Sequence, residues 1–180
     1  SIEELSRLDE VYQRRYLLRR EYSGSHRLVY LGQELINFSS NDYLGLSEDS
    51  RVRNAAKAAI DRYAASGASS RLICGNYALL EELEHALAEL KRKSAALVFS
   101  SGYLANVGVI PALFEAEDQI FSDALNHASL IDGCRLSKAQ IFIFRHCDLN
   151  HLENLLQTAQ SARRRLFVTD AVCSMDGDVA

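Results

Sequence analysis

The sequence lacks long apolar runs. None approaches the ~20 consecutive apolar residues that a helix needs to span a bilayer, so we expect no transmembrane segment. The N-terminal stretch SIEELSRLDE also lacks the charged and then apolar pattern of a secretory signal. Together these absences predict a cytoplasmic protein that does not act at a membrane.

The sequence also lacks an excess of positive charge. Its formal net charge is −4, which leaves no broad basic surface for nucleic acid. The run of three arginines at Arg163–Arg165 is too short to change that conclusion. We interpret it as a solvated lead-in to a strand.

Cysteine pairs with metal-site or redox spacing are absent too. No C-x-x-C pair occurs, so we expect thiols in a reducing compartment. The segment HCDLNH could suggest a metal, but His146 and His151 are five residues apart and do not share a helical face. Asp148 has the character of a helix N-cap. We therefore predict no metal site.

The first part of the chain carries local signals of three kinds. Helical spacing of apolar side chains predicts a helix over roughly the first 22 residues. Two apolar runs around GQE predict a hairpin, and NFSSNDYLGLS predicts an ordered loop. We therefore place a segment of helix, hairpin and loop at residues 1–46 and the beginning of a larger domain at 47–180.

The remainder alternates between helical and strand patterns. Four apolar segments, AALVF, QIF, IFIF and LFVT, are each followed by a helical or polar segment. Because these segments do not alternate between polar and apolar residues, they indicate a parallel sheet with helices on both faces, an α/β fold. Ligands of such sheets bind outside the carboxyl ends of the strands. The segments that follow the strands are therefore the candidate site.

Three of these segments contain residues suited to ligand contact. In Ser100–Asn106, Gly102 permits close approach of the backbone, and the first turn of the next helix attracts an anion such as phosphate. A plain tight turn explains the same residues equally well. His127 follows the second strand, where it could cap the local backbone, act as an acid or base, or stack on a flat cofactor.

The segment Val168–Asp178 follows the last strand. Ser174 could donate a hydrogen bond to a ligand oxygen. The nearby carboxylates of Asp170, Asp176 and Asp178 could instead indicate a divalent cation, although no nucleotide-phosphate motif accompanies them.

These motifs occur in an order that resembles the α-oxoamine synthases. The resemblance rests on NFSSNDYLGLS, SSRLICGN, SSGYLAN, DALNHASLIDGCRLSKA and VTDAVCSMDGD, and it covers essentially all 180 residues. It implies an aspartate-aminotransferase-like fold (PLP fold type I), pyridoxal 5′-phosphate (PLP) as cofactor, and a homodimer. The domain that begins at residue 47 is then the first part of the PLP-binding large domain.

The resemblance also implies roles for individual residues. The backbone of Gly102 and Tyr103 matches the turn that binds the cofactor phosphate, and His127 matches a histidine stacked on the pyridine ring. Ser174 matches a serine that contacts the cofactor. For substrate binding it implies Arg19, with Arg20 as the alternative partner of the substrate carboxylate, and the loop residue Asn41.

The implied reaction condenses an amino acid with an acyl thioester and releases CO2. Alanine with pimeloyl-CoA or a pimeloyl carrier protein, glycine with an acetyl thioester, and a non-catalytic partner subunit all stay open as readings of the motifs. The family's Schiff-base lysine lies downstream of a motif like SMDGD, so we expect a chain truncated before the second half of the fold and inactive alone. Its lysines do not match that motif: Lys57, Lys91, Lys93 and Lys138.

Overall fold

The computed structural model describes residues 6–7, 16–22, 24, 26–173 and 177–180. The chain divides into two compact units, Ser1–Gly75 and Asn76–Ala180. Each unit is described below by itself.

The first unit contains a small antiparallel sheet. Its strands are β1 (Glu21–Tyr22), β2 (Arg27–Tyr30) and β3 (Gln33–Ile36), in the order β1-β2-β3. The β2–β3 connection is Leu31–Gly32, with φ values of 51° and 76°. Two successive positive φ angles match the right-handed twist of a hairpin and favour glycine. The predicted hairpin is confirmed, with its turn at these two residues.

The predicted N-terminal helix is wrong at its C-terminal end. Residues 16–20 form no regular structure, and Glu21 and Tyr22 pair with Val29 and Leu28 in the sheet. Most of the preceding stretch lies outside the described residues. Pairing with the neighbouring strand β2 has overridden the local helical spacing at Glu21 and Tyr22.

Helix α1 (Ser50–Tyr63) follows the sheet in this unit. It begins where the Asp49 carboxylate accepts a hydrogen bond from the Arg51 amide at 2.8 Å. A single turn of 3-10 helix precedes it at Leu46–Glu48, and one turn of π-helix follows at Arg71–Gly75. A Cβ at Gly75 would lie far inside van der Waals contact with the Ser69 carbonyl oxygen, so only glycine fits there.

The second unit alternates helices and strands as predicted. Its elements are α2 (Ala78–Leu90), α3 (Gly102–Leu113), β4 (Gln119–Asp123), α4 (Ala128–Leu136), β5 (Gln140–Phe144), α5 (Leu149–Thr158) and β6 (Arg165–Val168). The three strands form a parallel sheet in the order β5-β4-β6. Because β4 has a neighbour on each side, all five of its residues are buried.

The segment 95–99 is not the strand that its apolar sequence predicts. Its residues form no regular secondary structure, and within the described part of the chain they pair with no strand. The Val98 amide donates instead to the Glu84 carboxylate at 2.8 Å. A strand requires a partner for its backbone groups, and hydrophobicity alone does not supply one.

The core lies between the sheet and helices α3 and α4. Ile110, Ile120, Cys134, Ala139 and Val168 form a buried cluster. On the other face of the sheet three phenylalanine rings are stacked across neighbouring strands, with Phe121 between Phe142 and Phe167 at centroid distances of 5.0 and 5.4 Å. Ile120 and Phe121 thus face opposite sides of the sheet, which explains why two consecutive residues of β4 are both apolar.

The arginine run before β6 is more than a solvated lead-in. Arg163 and Arg164 both contact the carboxylate of Asp118, whose side chain is fully buried. The Arg163 guanidinium, followed by that of Arg164, holds the pKa of Asp118 well below its usual range. The interpretation of Arg163–Arg165 as a solvated surface run was therefore wrong for two of its three members.

The parallel arrangement determines where the candidate site lies. β4, β5 and β6 end at Asp123, Phe144 and Val168, so the segments that follow them emerge at one edge of the sheet. Among the described residues, no helix has both the length and the hydropathy required to cross a bilayer.

Candidate active site

The N-terminus of α3 presents backbone donors to the edge of the site. Ser101 caps the helix, and its Oγ accepts a hydrogen bond from the Leu104 amide at 3.1 Å. The amides of Gly102 and Tyr103 have no acceptor within the described part of the chain, as expected for the first turn of a helix. A Cβ built on Gly102 would meet no atom within 4 Å. The turn therefore has free donors, a favourable dipole and open space for an anion.

The Tyr103 side chain connects helices α3 and α4. Its hydroxyl donates a hydrogen bond to Asp132 Oδ2 at 2.6 Å, which joins the first turn of α3 to α4. This hydrogen bond raises the pKa of Tyr103. Because the side chain is engaged with Asp132, the contribution that Tyr103 can make to anion binding is its backbone amide.

His127 is the N-cap of α4. Its Nδ1 accepts a hydrogen bond from the Ser129 amide at 3.1 Å and lies 2.7 Å from Ser129 Oγ. An accepting Nδ1 in a neutral ring places the proton on Nε2. The backbone amide of His127 donates to Asp170 Oδ2 at 3.1 Å. The local capping role is therefore confirmed, and the stacking role stays a prediction.

Ser129 connects the two candidate elements. Its buried Oγ accepts a hydrogen bond from Asn106 Nδ2 at 2.9 Å while it contacts the His127 ring. Asn106 belongs to α3, so one hydroxyl links the helix of the anion-binding turn to the histidine. The orientation of the imidazole is thus tied to the position of α3.

Asn126 fixes the loop that leads to His127. Its Nδ2 donates to Ser122 Oγ at 2.9 Å and to the Val168 carbonyl at 2.8 Å, so it joins β4 to β6. Its Oδ1 is buried and accepts no hydrogen bond from any described residue. This supporting role was missed from the sequence, although the position of Asn126 directly before His127 was a usable signal.

Other supporting residues were not predicted as site residues. Asp170 was noticed as a carboxylate beyond a strand, but its bond to the His127 amide spans 43 residues. Asp132 and Ser129 lie on α4, in a helical pattern that shows no sign of their contacts with α3. Such contacts form only when α3 and α4 pack against each other, so the sequence pattern of one helix does not indicate them.

The predicted substrate residues lie in the first unit. Arg19 is exposed and lines a cavity of about 230 Å³ with Glu21 and Val29. Asn41 is exposed, and its Oδ1 accepts a hydrogen bond from the Tyr43 hydroxyl at 3.4 Å. Gly102, Tyr103 and His127 lie in the second unit. Ser174 lies outside the described residues.

A second polar cluster lies beyond β5. His146 Nδ1 is 2.9 Å from Asp123 Oδ1, and His146 Nε2 is 3.2 Å from Asp178 Oδ2. The contact with Asp123, followed by that with Asp178, raises the pKa of His146. The Nδ1 of His151 instead accepts a hydrogen bond from the Arg145 amide at 3.0 Å. The predicted N-cap Asp148 is confirmed, since it accepts from the His151 amide at 2.8 Å.

Comparison with known proteins places this geometry in context. A model of the family described as aminotransferase class I and II matches residues 33–180. A putative 8-amino-7-oxononanoate synthase of Bacillus licheniformis is 52% identical over 97% of this chain and 46% of its own length. The 8-amino-7-oxononanoate synthase 2 of Bacillus subtilis is 52% identical over 83% of this chain and 38% of its own length. The chain therefore spans less than half the length of these curated relatives.

Solved structures show the same similarity in three dimensions. A serine palmitoyltransferase of S. paucimobilis with a bound PLP–myriocin aldimine superposes with a TM-score of 0.88 at 29% identity, over 99% of this chain and 46% of that one. An 8-amino-7-oxononanoate synthase from Francisella tularensis superposes with a TM-score of 0.65 at 30% identity, over 79% of this chain and 38% of that one.

Proposed function

Because the chain belongs to the class I and II aminotransferase family, and within it to the α-oxoamine synthases, we propose that it forms part of a PLP-dependent acyltransferase. The proposed reaction condenses L-alanine with pimeloyl-CoA, or with a pimeloyl carrier protein, and releases CO2 to give 8-amino-7-oxononanoate for biotin synthesis. Similarity to the Bacillus 8-amino-7-oxononanoate synthases over nearly the whole chain is the observation that carries this proposal.

In this proposal, the first turn of α3 binds the phosphate of PLP. The amides of Gly102 and Tyr103 are available at a helix N-terminus, and the space beside Gly102 is open. These groups would hold the cofactor phosphate by charge-assisted hydrogen bonds. When bound, PLP supplies an electron sink for the amino acid that is being acylated.

His127 would act as a catalytic-site residue by positioning the cofactor ring. Its Nδ1 is occupied by Ser129, so the ring is held in one orientation, and its flat face and Nε2 are the parts left for a ligand. In the same proposal Ser174 contacts the cofactor. Arg19 and Asn41 bind the substrate, with the Arg19 guanidinium pairing with the carboxylate of the amino acid.

Two further features of the proposal concern the whole protein. We propose a cytoplasmic homodimer whose Schiff-base lysine is supplied by sequence outside these 180 residues, so that this chain alone does not turn over substrate. We also keep the division between an N-terminal segment at 1–46 and the beginning of the PLP-binding domain at 47–180 as part of the proposal.

A donor panel on the complete protein tests the function. Alanine and glycine are each paired with pimeloyl-CoA, a pimeloyl carrier protein and acetyl-CoA, and the products are identified by mass spectrometry. We expect the alanine and pimeloyl pair to react fastest. Preference for glycine with acetyl-CoA would instead establish the alternative, a glycine C-acetyltransferase, because the DALNHASLIDGCRLSKA motif suits both activities.

The absorption spectrum of the bound cofactor distinguishes the proposed enzyme from the remaining alternative, a non-catalytic partner subunit. A complete protein that develops no PLP absorption band and no turnover would be a non-catalytic partner subunit. His127→Asn should alter the band, because it replaces a flat aromatic ring by an amide. His85→Asn is the matched control, since His85 is exposed on α2 and contacts no part of the candidate site. Both variants should remain folded.

A further inference from the structure

The cluster around His146 contains four side chains that commonly bind metals and that the proposed acyltransferase does not use. They are His146, Cys147, Cys173 and Asp178. One ligand atom from each of His146, Cys173 and Asp178 lies within 4.8 Å of the other two. Cys147 Sγ is 3.4 Å from His146 Nε2. An imidazole, a carboxylate and two sulfurs therefore converge at the carboxyl edge of the sheet.

The separations match those of ligands around one cation. In a tetrahedral zinc site, bonds of about 2.0–2.3 Å place neighbouring ligand atoms roughly 3.3–3.7 Å apart. His146 Nε2 lies 3.2 Å from Asp178 Oδ2 and 3.4 Å from Cys147 Sγ. His146 Nε2 is thus at coordination spacing from both the carboxylate and this sulfur. Cys173 Sγ lies within 4.8 Å of the ligand atoms of His146 and Asp178, so it exceeds that spacing by about 1 Å at most.

His146 is oriented as metal-binding histidines usually are. Its Nδ1 contacts the buried carboxylate of Asp123 at 2.9 Å, and the same oxygen of Asp123 accepts from the Leu125 amide. A carboxylate on one ring nitrogen fixes the tautomer and directs the other nitrogen to the ion. Here Nε2 lies next to Asp178 Oδ2 and Cys147 Sγ.

The backbone holds the remaining ligands side by side. The Cys173 amide donates to the Asp178 carbonyl at 2.9 Å, and Val172 forms an antiparallel bridge with Val179. The Ala180 amide donates to the Ala171 carbonyl at 3.2 Å. These pairings bring Cys173 and Asp178 together despite the intervening sequence, so the ligand positions are set by the fold before any ion arrives.

We propose that His146, Cys173 and Asp178 bind one divalent metal ion of the thiolate-binding class, such as Zn²⁺, with Cys147 as the fourth ligand. The site uses none of the predicted PLP contacts, although Cys173 directly precedes Ser174 in the sequence, and it serves to fix the segment after β6 to the end of β5. Two sulfurs among the ligands favour Zn²⁺ over Mg²⁺ or Ca²⁺, which prefer oxygen.

Cobalt titration of the purified protein tests the site. The protein is stripped of metal with a chelator under reducing conditions and titrated with Co²⁺, with Zn²⁺ added afterwards. We expect one Co²⁺ per chain, a thiolate-to-cobalt charge-transfer band, and loss of that band on adding Zn²⁺. Absence of stoichiometric binding, or binding without a sulfur band, would overturn the proposal.

Variants assign the ligands. Cys173→Ser should abolish the charge-transfer band, and Cys147→Ser should reduce its intensity. Asp123→Asn should retain the band but weaken binding by about 10–100-fold, because it removes only the group that orients His146. Cys74→Ser is the control, since Cys74 is an exposed cysteine of the other unit and should leave binding unchanged.

A second variant and a melting-temperature measurement keep the test valid if one variant does not fold. Should Cys173→Ser fail to fold, Asp178→Asn provides a second variant at a half-exposed side chain. Zn²⁺ should raise the melting temperature of the native protein and leave that of Asp178→Asn nearly unchanged. An equal shift in both proteins would show that the ion binds elsewhere and would refute the assignment.

Discussion

The substitution Gly133→Ala measures how closely α3 and α4 must approach. Gly133 is buried in α4, where an added Cβ would lie 2.7 Å from the Asn106 carbonyl oxygen and 3.0 Å from Ile110 Cδ1. The carbonyl belongs to the backbone of α3 and cannot rotate away. The two helices must therefore separate by several tenths of an ångström to admit one methyl group.

Two effects of opposite sign determine the magnitude. Alanine in place of an interior glycine favours a helix by about 1 kcal/mol, whereas overpacking a core typically costs about 1–3 kcal/mol. Because the contact is with rigid backbone, the steric effect should lie in the upper part of its range. We expect the free energy of unfolding to fall by about 1–2 kcal/mol and the melting temperature by roughly 2–8 °C.

Urea unfolding of three alanine variants separates the two effects. A Cβ at Gly108 would meet only the edge of the Phe99 ring at 3.2 Å, and one at Gly102 would meet nothing within 4 Å. Gly108→Ala and Gly102→Ala should thus be neutral or slightly stabilising, with unchanged dependence on urea. A Gly133→Ala protein as stable as the native chain would refute the requirement for glycine.

Three further predictions concern other parts of the fold. His127→Ala should lower the free energy of unfolding by about 1 kcal/mol, the usual loss for a missing N-cap, whereas His127→Asn should retain it because asparagine caps well. Ile120→Ala should lower it by about 2–5 kcal/mol by opening a cavity, while Ile143→Ala, at an exposed side chain, should change it little. Asp118→Asn should remove a stabilisation that is complete above the ordinary aspartate pKa and is lost as the pH falls through the lower pKa of the folded state. Chemical unfolding measures the first two, and unfolding across acidic pH measures the third.

Each of these has a contrary outcome. Equal stability of the two His127 variants would show that the cap contributes nothing. If Ile143→Ala were as destabilised as Ile120→Ala, the burial of a side chain would not determine how much it stabilises the sheet. Parallel acid unfolding curves for the native chain and Asp118→Asn would show that the Arg163 and Arg164 contacts do not couple to proton binding.

The elements that the sequence predicted are those with local signals. The hairpin, the alternation of strands and helices, and the Asp148 cap all depend on residues close together in the chain. The contact of His127 with Ser129 is also local, and the Asn-His-Ala-Ser sequence suits a helix start. Such features can be predicted because the interactions that stabilise them join residues only a few positions apart in the chain.

The features that were missed depend on distant partners. The segment 95–99 has the composition of a strand but no described neighbour to pair with. Arg163 contacts Asp118 across 45 residues, and Asp170 contacts His127 across 43. The prediction of no metal site weighed His146 only against residues of the HCDLNH segment. The actual neighbours of His146, Asp123 and Asp178, are distant in sequence.

The hydroxyl of Ser129 has a consequence for what the position can tolerate. It must accept from Asn106 and contact the His127 ring while its side chain has almost no room to move. Alanine would fit but would sever both connections, and threonine would need space for a methyl group that the buried position lacks. The imidazole is therefore ordered when the chain folds. A ligand that stacks on it would bind without a further loss of conformational entropy from that ring.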